Sequence, residues 1–148
     1  MAHRPKIVRV ICGYSLLMLM LTLAACESQT KTSDLDVQTI QVGQLRQMLA
    51  GEGDWEGKGP TALIDVRSRS EYEKGHIPGA MNVPVSDVKA SDQRLSAFEN
   101  VVVYGSGWSD YLSRAASKKL AALGYSNVFD FCGGLELWAT QGRVLEGP

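Results

Sequence analysis

The chain changes character near residue 26. Residues 10–25 (VICGYSLLMLMLTLAA) are uncharged and almost wholly apolar, whereas short apolar runs alternate with amphipathic ones from residue 37 onward. Three of these runs, 62–66 (ALIDV), 101–104 (VVVY) and 128–131 (VFDF), are nearly continuous and do not alternate with polar residues. A strand covered on both faces reads this way, as in a parallel sheet. Residues 80–84 (AMNVP) form a shorter candidate strand and residues 37–42 a first one. Val42, Leu45, Met48 and Leu49 recur at helical spacing, as do Leu112, Ala115, Ala116, Lys119, Leu120 and Leu123, with Gly124 capping the second helix. Residues 51–60 (GEGDWEGKGP) hold four Gly and one Pro and predict a loop. Strands separated by helices imply right-handed crossovers, and hence an α/β domain of three layers around a parallel sheet.

Charge divides the chain at the same place. All 148 residues carry 15 Lys+Arg against 16 Asp+Glu, but the first 25 hold Arg4, Lys6 and Arg9 and no acid. Removing these three leaves 12 basic against 16 acidic groups, a charge of -4, and no basic excess for nucleic acid. The 16-residue apolar run falls short of the roughly 20 residues that span a bilayer. With its basic start and small terminal residues it predicts an export signal over residues 1–25. Its end, Leu23-Ala24-Ala25-Cys26, resembles the lipobox of bacterial lipoproteins. That resemblance implies cleavage after Ala25 and a diacylglycerol on the Cys26 sulfur, so that lipid chains anchor the protein to a membrane it does not span. Glu27, not Asp, follows the cysteine, which by the enterobacterial sorting rule implies the outer membrane and a periplasm-facing domain in a Gram-negative source. Residues 27–36 (ESQTKTSDLD) read as a polar tether, leaving residues 37–148 as the domain.

Of three cysteines, Cys12 leaves with the signal and Cys26 takes lipid. Cys132 is then the one thiol of the mature chain, with no intramolecular disulfide available to it.

The domain itself resembles the rhodanese family. Ala62-Leu63-Ile64-Asp65-Val66-Arg67 with Glu71-Tyr72, then 75–84 (GHIPGAMNVP), resemble its first signature. Val101-Val102-Val103-Tyr104, Leu123-Gly124-Tyr125, and Gly133-Gly134-Leu135 with Trp138 follow in the order of its second half. The resemblance implies a three-layer fold with the active-site loop after the strand ending at Tyr104. It also implies a sulfurtransferase activity in which a cysteine directly after that strand accepts sulfane sulfur as a persulfide. Here the loop reads Gly105, Ser106, Gly107, Trp108, Ser109, Asp110, about two residues longer than the common design, and Gly105 stands where the nucleophile is expected. Leu112 then falls where a loop arginine often lies, and Arg114 belongs to the following helix. A glycine carries no sulfur, and serine lacks both sulfane chemistry and a partnered base. Ser106 and Ser109 are expected in turn and N-cap duty. Gly-Ser-Gly offers an anion nest with Trp108 as an aromatic wall, an idea that Asp110 opposes.

Two functions remain open on these residues. One is a lipid-anchored, non-catalytic module that takes a small anion, a sulfur-carrying molecule or a protein partner at this loop. The other is a sulfurtransferase or persulfide carrier working through Cys132, which follows the 128–131 strand and so lies on the same sheet edge. The plainer expectation for Cys132 is a small buried core residue. Asp65 and Arg67 are expected to pair in support of the loop, His76 to bond backbone, and Trp138 to join the core with Leu135 and Leu137. Trp55 is expected either to touch a partner or to cover the sheet edge. With His3 and His76 the only histidines, no His pair exists for a metal or a triad, and no cofactor is expected.

Overall fold

The computed structural model describes residues 37–52 and 59–148. The signal segment, Cys26, the tether and Trp55 lie outside the described residues. Five strands, all parallel, form one sheet in the order β1-β5-β4-β2-β3: β1 Gln38–Thr39, β2 Thr61–Asp65, β3 Met81–Asn82, β4 Asn100–Tyr104 and β5 Val128–Phe131. Three helices lie between strands, α1 Val42–Ala50, α2 Arg69–Lys74 and α3 Leu112–Ala122, and a fourth, α4 Gly134–Thr140, follows β5. Two single 3-10 turns, Val85–Asp87 and Gln93–Leu95, bridge β3 to β4.

The continuous apolar runs split residue by residue between two cores. Leu63, Val102, Tyr104, Phe129 and Phe131 join Leu45, Met48 and Trp138 on one face of the sheet. Ala62, Ile64, Val101, Val103 and Val128 join Ala116 and Leu120 on the other. A strand's side chains alternate, so a run without polar breaks fills both faces, which gives the expected three layers.

Local chemistry fixes the element ends. The backbone N–H of Gln41 donates to Gln44 Oε1 at 2.8 Å and starts α1. At α2 the Ser68 side chain accepts from the Glu71 N–H while Glu71 accepts from the Ser68 N–H, a capping box that sets the chain's course after β2.

Two expectations need correction. The first strand is only Gln38–Thr39, flanked by buried Val37 and Ile40, and the chain turns into α1 at Val42. In α3 the buried stripe is Ser113, Ala116, Ser117 and Leu120, while Leu112, Ala115, Lys119 and Leu123 face outward. Small residues let this helix lie close to the sheet, so the seam follows size more than apolarity. Lys119 Nζ instead reaches the Val85 carbonyl at 3.0 Å.

Candidate functional site

The carboxyl ends of parallel strands are where loops and unpaired amides converge, and here the edge above β2, β4 and β5 is the most elaborated part of the domain. Tyr104 of β4 pairs in register with Asp65 of β2 and with Phe131 of β5. Gly105 and Cys132, the next residue of each strand, therefore flank one another on that edge.

Asp65 is fully buried and Arg67 nearly so. Arg67 donates from Nε to both carboxylate oxygens of Asp65 at 3.0 and 3.1 Å, and from Nη2 to Oδ2 at 2.6 Å. Its backbone N–H donates to Oδ1 at 2.9 Å, and Nη2 also reaches the Gly75 carbonyl at 2.8 Å. Burial acts to lower the Arg67 pKa, the bonds to Asp65 act against it, and the net shift is upward. Beside this pair the Tyr104 hydroxyl accepts from the Ile77 N–H at 3.0 Å, and burial, then the Asp65 charge, hold the phenol well above its ordinary range. The expected pairing is present, and it ties the end of β2 to the segment between α2 and β3. His76 extends the same support: Nδ1 lies 3.0 Å from the Tyr72 carbonyl, the ring stacks on Tyr72 at 3.7 Å, and Nε2 lies 3.4 Å from Glu146 Oε2.

The loop after β4 is tied down from two sides. From α4, the Leu135 N–H donates to the Gly105 carbonyl at 3.0 Å and the Glu136 N–H to the Ser106 carbonyl at 2.9 Å. Gly134, at φ 56°, makes that approach possible, since a Cβ there would lie 2.5 Å from the Gly105 oxygen and 2.8 Å from the Gly107 nitrogen. From within, Asp110 Oδ2 accepts from the Ser106 N–H at 2.8 Å and Oδ1 from the Leu112 N–H at 2.9 Å, while the Asp110 N–H closes a turn on the Gly107 carbonyl. A Cβ built on Gly105 would lie 2.5 Å from Asp110 Oδ2. The carboxylate therefore fills the space that a side chain at 105 needs.

These contacts revise the reading of the loop. Ser109 does not cap α3. The helix begins at Leu112 after Tyr111, and its first free amide donates to Asp110 Oδ1, two residues earlier in the chain. The Gly-Ser-Gly turn is no open anion nest either, because the Ser106 amide already meets a carboxylate. Trp108 is 58% exposed, Tyr111 83% and Leu112 45%, an apolar group standing in solvent around the loop. Tyr111 went unnoticed in the sequence, where an aromatic before a helix looks like core. The usable signal was Trp108, Tyr111 and Leu112 crowded into five positions, more than a helix start buries.

Arg114 lies in α3 and turns away from the loop. Its Nη1 is 3.2 Å from the Val37 carbonyl, 3.4 Å from Thr39 Oγ1 and 3.7 Å from Asp130 Oδ2. Cys132 is the free cysteine among the described residues, and it is half-buried, not sealed in the core as the plainer reading has it. The chain leaves the sheet at that residue and the thiol loses its covering neighbours on one side. Burial, then the nearby Asp130 carboxylate, push the thiol pKa upward. Trp138 is buried, its Nε1 donating to the Val144 carbonyl at 3.0 Å, with Leu135 and Leu137 packed against the same core.

The cleft beside this edge, between Arg67, Glu71, Lys74, Leu135 and Leu145, measures about 170 Å³, below the roughly 300 Å³ at which small-molecule pockets begin. A larger hollow of about 580 Å³ lies between α1 and Trp138 and contains none of residues 105–112. Among the described residues, no three His, Cys, Asp or Glu side chains group as metal ligands, and no helix is long and apolar enough to cross a membrane.

Residues 42–141 match the model of the rhodanese-like domain. An adenylyltransferase and sulfurtransferase of Ogataea parapolymorpha is 33% identical over 79 residues, 53% of this chain and 20% of that protein. An uncharacterized protein of Bacillus subtilis is 33% identical over 76 residues, 51% of this chain and 59% of its own length. The chain thus spans less than two thirds of either relative. The rhodanese-like domain of an Anabaena protein, solved by NMR, superposes with a TM-score of 0.57 at 28% identity, covering 76% of this chain and 80% of that one. The match runs from α1 through α4 and so includes the whole sheet from β2 onward with its loop-bearing edge, and the chain belongs to the rhodanese-like domain family.

Proposed function

We propose that this protein is a lipid-anchored rhodanese-like module that binds at the loop of residues 105–112 without transferring sulfur. The observation that carries this reading is the glycine directly after β4, where the resemblance to the family calls for a thiol. Around that glycine the loop presents exposed Trp108, Tyr111 and Leu112, the type of surface through which a protein partner is held. Residues 1–25 act as the export signal, Cys26 carries the lipid, residues 27–36 serve as the tether, and residues 37–148 stand in the periplasm, on the outer membrane in a Gram-negative cell.

The competing reading routes sulfur through Cys132. Its thiolate would attack the outer sulfur of thiosulfate, the S–S bond would break and sulfite would leave. Cyanide would then take the sulfur from the persulfide as thiocyanate and return the thiolate. The position of Cys132 beside Gly105 favours this route, while its raised pKa works against it, since the thiolate is the nucleophile. A thiosulfate-to-cyanide assay on the full chain decides between the two. No thiocyanate above background is the expected result; turnover abolished by Cys132→Ala overturns the non-catalytic reading. For the anchor, cells fed an alkyne-bearing fatty acid should label the chain, and Cys26→Ser should remove the label. Equal labelling of the two would exclude the lipid.

A further inference from the structure

We propose that Asp110 is a built-in ligand of the loop after β4, a specificity-setting residue whose carboxylate excludes both a nucleophile at 105 and anionic ligands from this edge. Three observations converge on one carboxylate. Oδ2 of Asp110 lies 2.5 Å from where a Cβ of residue 105 would stand. The same oxygen takes the Ser106 N–H at 2.8 Å, a loop amide otherwise open to an anion held beside Gly105. Its twin, Oδ1, takes the Leu112 N–H and so satisfies the start of α3 from the same carboxylate. The group is thus held at both oxygens by backbone, and removing it from this space means breaking two charge-assisted bonds.

The carboxylate accounts for more than the glycine does. An absent side chain alone would leave a vacant, amide-lined hollow that still favours anions. Here the hollow holds a negative charge belonging to the chain. No arginine neutralises it from the following helix, because Arg114 points toward Val37, Thr39 and Asp130. A sulfane donor such as thiosulfate, itself an anion, meets like charge at the one place where sulfur would have to be delivered. A thiolate installed at 105 meets both the same charge and the same atoms, and like charges at such distances push the pKa of a thiol upward.

The lock rests on the non-catalytic reading of this loop, and its test is built to fail separately from that reading. In the full chain carrying Cys132→Ser, so that any Cys132 chemistry is absent, Gly105→Cys is compared with Gly105→Cys/Asp110→Ala. The readouts are the rate of alkylation by iodoacetamide, a neutral probe, across pH, and persulfide formed from thiosulfate. The single variant should react at least tenfold more slowly at neutral pH than the double one, with an apparent thiol pKa higher by about one unit or more. The double variant should also form more persulfide. Equal rates and equal pKa values in the two would overturn the proposal. A second measurement needs no substitution that crowds the loop. In the natural chain, the Ser106 and Leu112 amides should be protected from hydrogen exchange by the carboxylate they donate to, and Asp110→Ala should speed exchange at both. Exchange unchanged at the two amides would equally overturn the lock. Turnover by the unsubstituted chain through Cys132 would refute the non-catalytic reading and, since thiosulfate would then reach this edge, the exclusion of anions with it, whereas equal rates in the two 105 variants refute the lock alone.

Discussion

Two Asp-x-Arg triplets in this domain adopt the same local geometry around a buried aspartate, and differ in how far the arginine is enclosed. In Asp65-Val66-Arg67 and Asp92-Gln93-Arg94 alike, Nε reaches both carboxylate oxygens, Nη2 reaches Oδ2 at 2.6 Å, and the backbone N–H of the arginine donates to Oδ1. The side chain of Arg67 is 7% exposed and that of Arg94 46%. The triplet is therefore a self-contained turn that any part of the surface can host, and its position decides what it is worth. At the end of β2 the arginine has a further task, the Gly75 carbonyl, and Tyr104 stands alongside. In the β3–β4 connection the second triplet caps a 3-10 turn and leaves half its guanidinium in water.

The largest expected effect follows from breaking the buried copy. Asp65→Ala leaves the Arg67 guanidinium enclosed without its counter-charge, and uncompensated buried charges of this kind cost about 3–5 kcal/mol. Urea unfolding of the full chain should show the loss as a fall in midpoint with little change in slope. Asp65→Leu/Arg67→Met, which removes both charges, should recover most of it. Failure to recover would mean that the pair does more than satisfy itself, and that its bond to Gly75 holds the α2–β3 segment in place.

The exposed copy is best tested with acid. The hydrogen bonds from Arg94 hold the Asp92 carboxyl at about 2, below its ordinary 3.8. A carboxyl whose folded pKa is depressed adds stability above its unfolded value and loses it as pH falls through the folded one. Its contribution is thus present at pH 4 and above and disappears between about 3.8 and 2. Asp92→Asn should flatten that part of the stability–pH curve while leaving the curve above pH 5 parallel to that of the natural chain. Asp130 acts in the opposite sense, because burial raises its pKa and ionising it in the folded state works against folding as pH climbs past its ordinary value. An unchanged acid limb in Asp92→Asn would show that the exposed copy contributes nothing that water does not replace. Arg94→Ala, in turn, should cost less than Asp65→Ala, because the Arg94 side chain already stands half in water, while the buried Asp92 carboxylate keeps the residue-94 N–H.

The same contrast explains what was legible in the sequence. The three central strands were readable because residues 62–66, 101–104 and 128–131 carry the undivided apolar pattern that only two-sided burial produces, and the Asp65–Arg67 pair because two charges stood at a strand end. The face of α3 was misread because Ser113 and Ser117 are polar by type and buried by size, a choice made by the sheet they press against. The loop was readable as a place and not as a mechanism. Gly105 announced a missing side chain, but nothing in the order Gly-Ser-Gly-Trp-Ser-Asp says that the last residue folds back onto the first. That contact depends on Gly134 letting α4 approach and on α3 starting at Leu112, both of them facts of tertiary structure.

Asp110 is the third aspartate of this series, receiving amides as the other two do but no guanidinium, and it should show the smallest of these aspartate effects. Asp110→Ala frees the Ser106 and Leu112 N–H groups; Ser106 and Leu112 are both exposed, so water can take over what the carboxylate held. The loss should be that of a helix cap, about 1 kcal/mol, and Asp110→Asn, which keeps an acceptor, should lose less. Both follow from urea midpoints. A loss near that of Asp65→Ala would mean that the loop is a structural element equal to the buried pair, with α4 depending on it. A loss at the level of a cap means that the loop retains its anion within at little expense to the fold, so that the chemistry of this edge can change by substitution at 105 and 110 while the sheet beneath it stays intact.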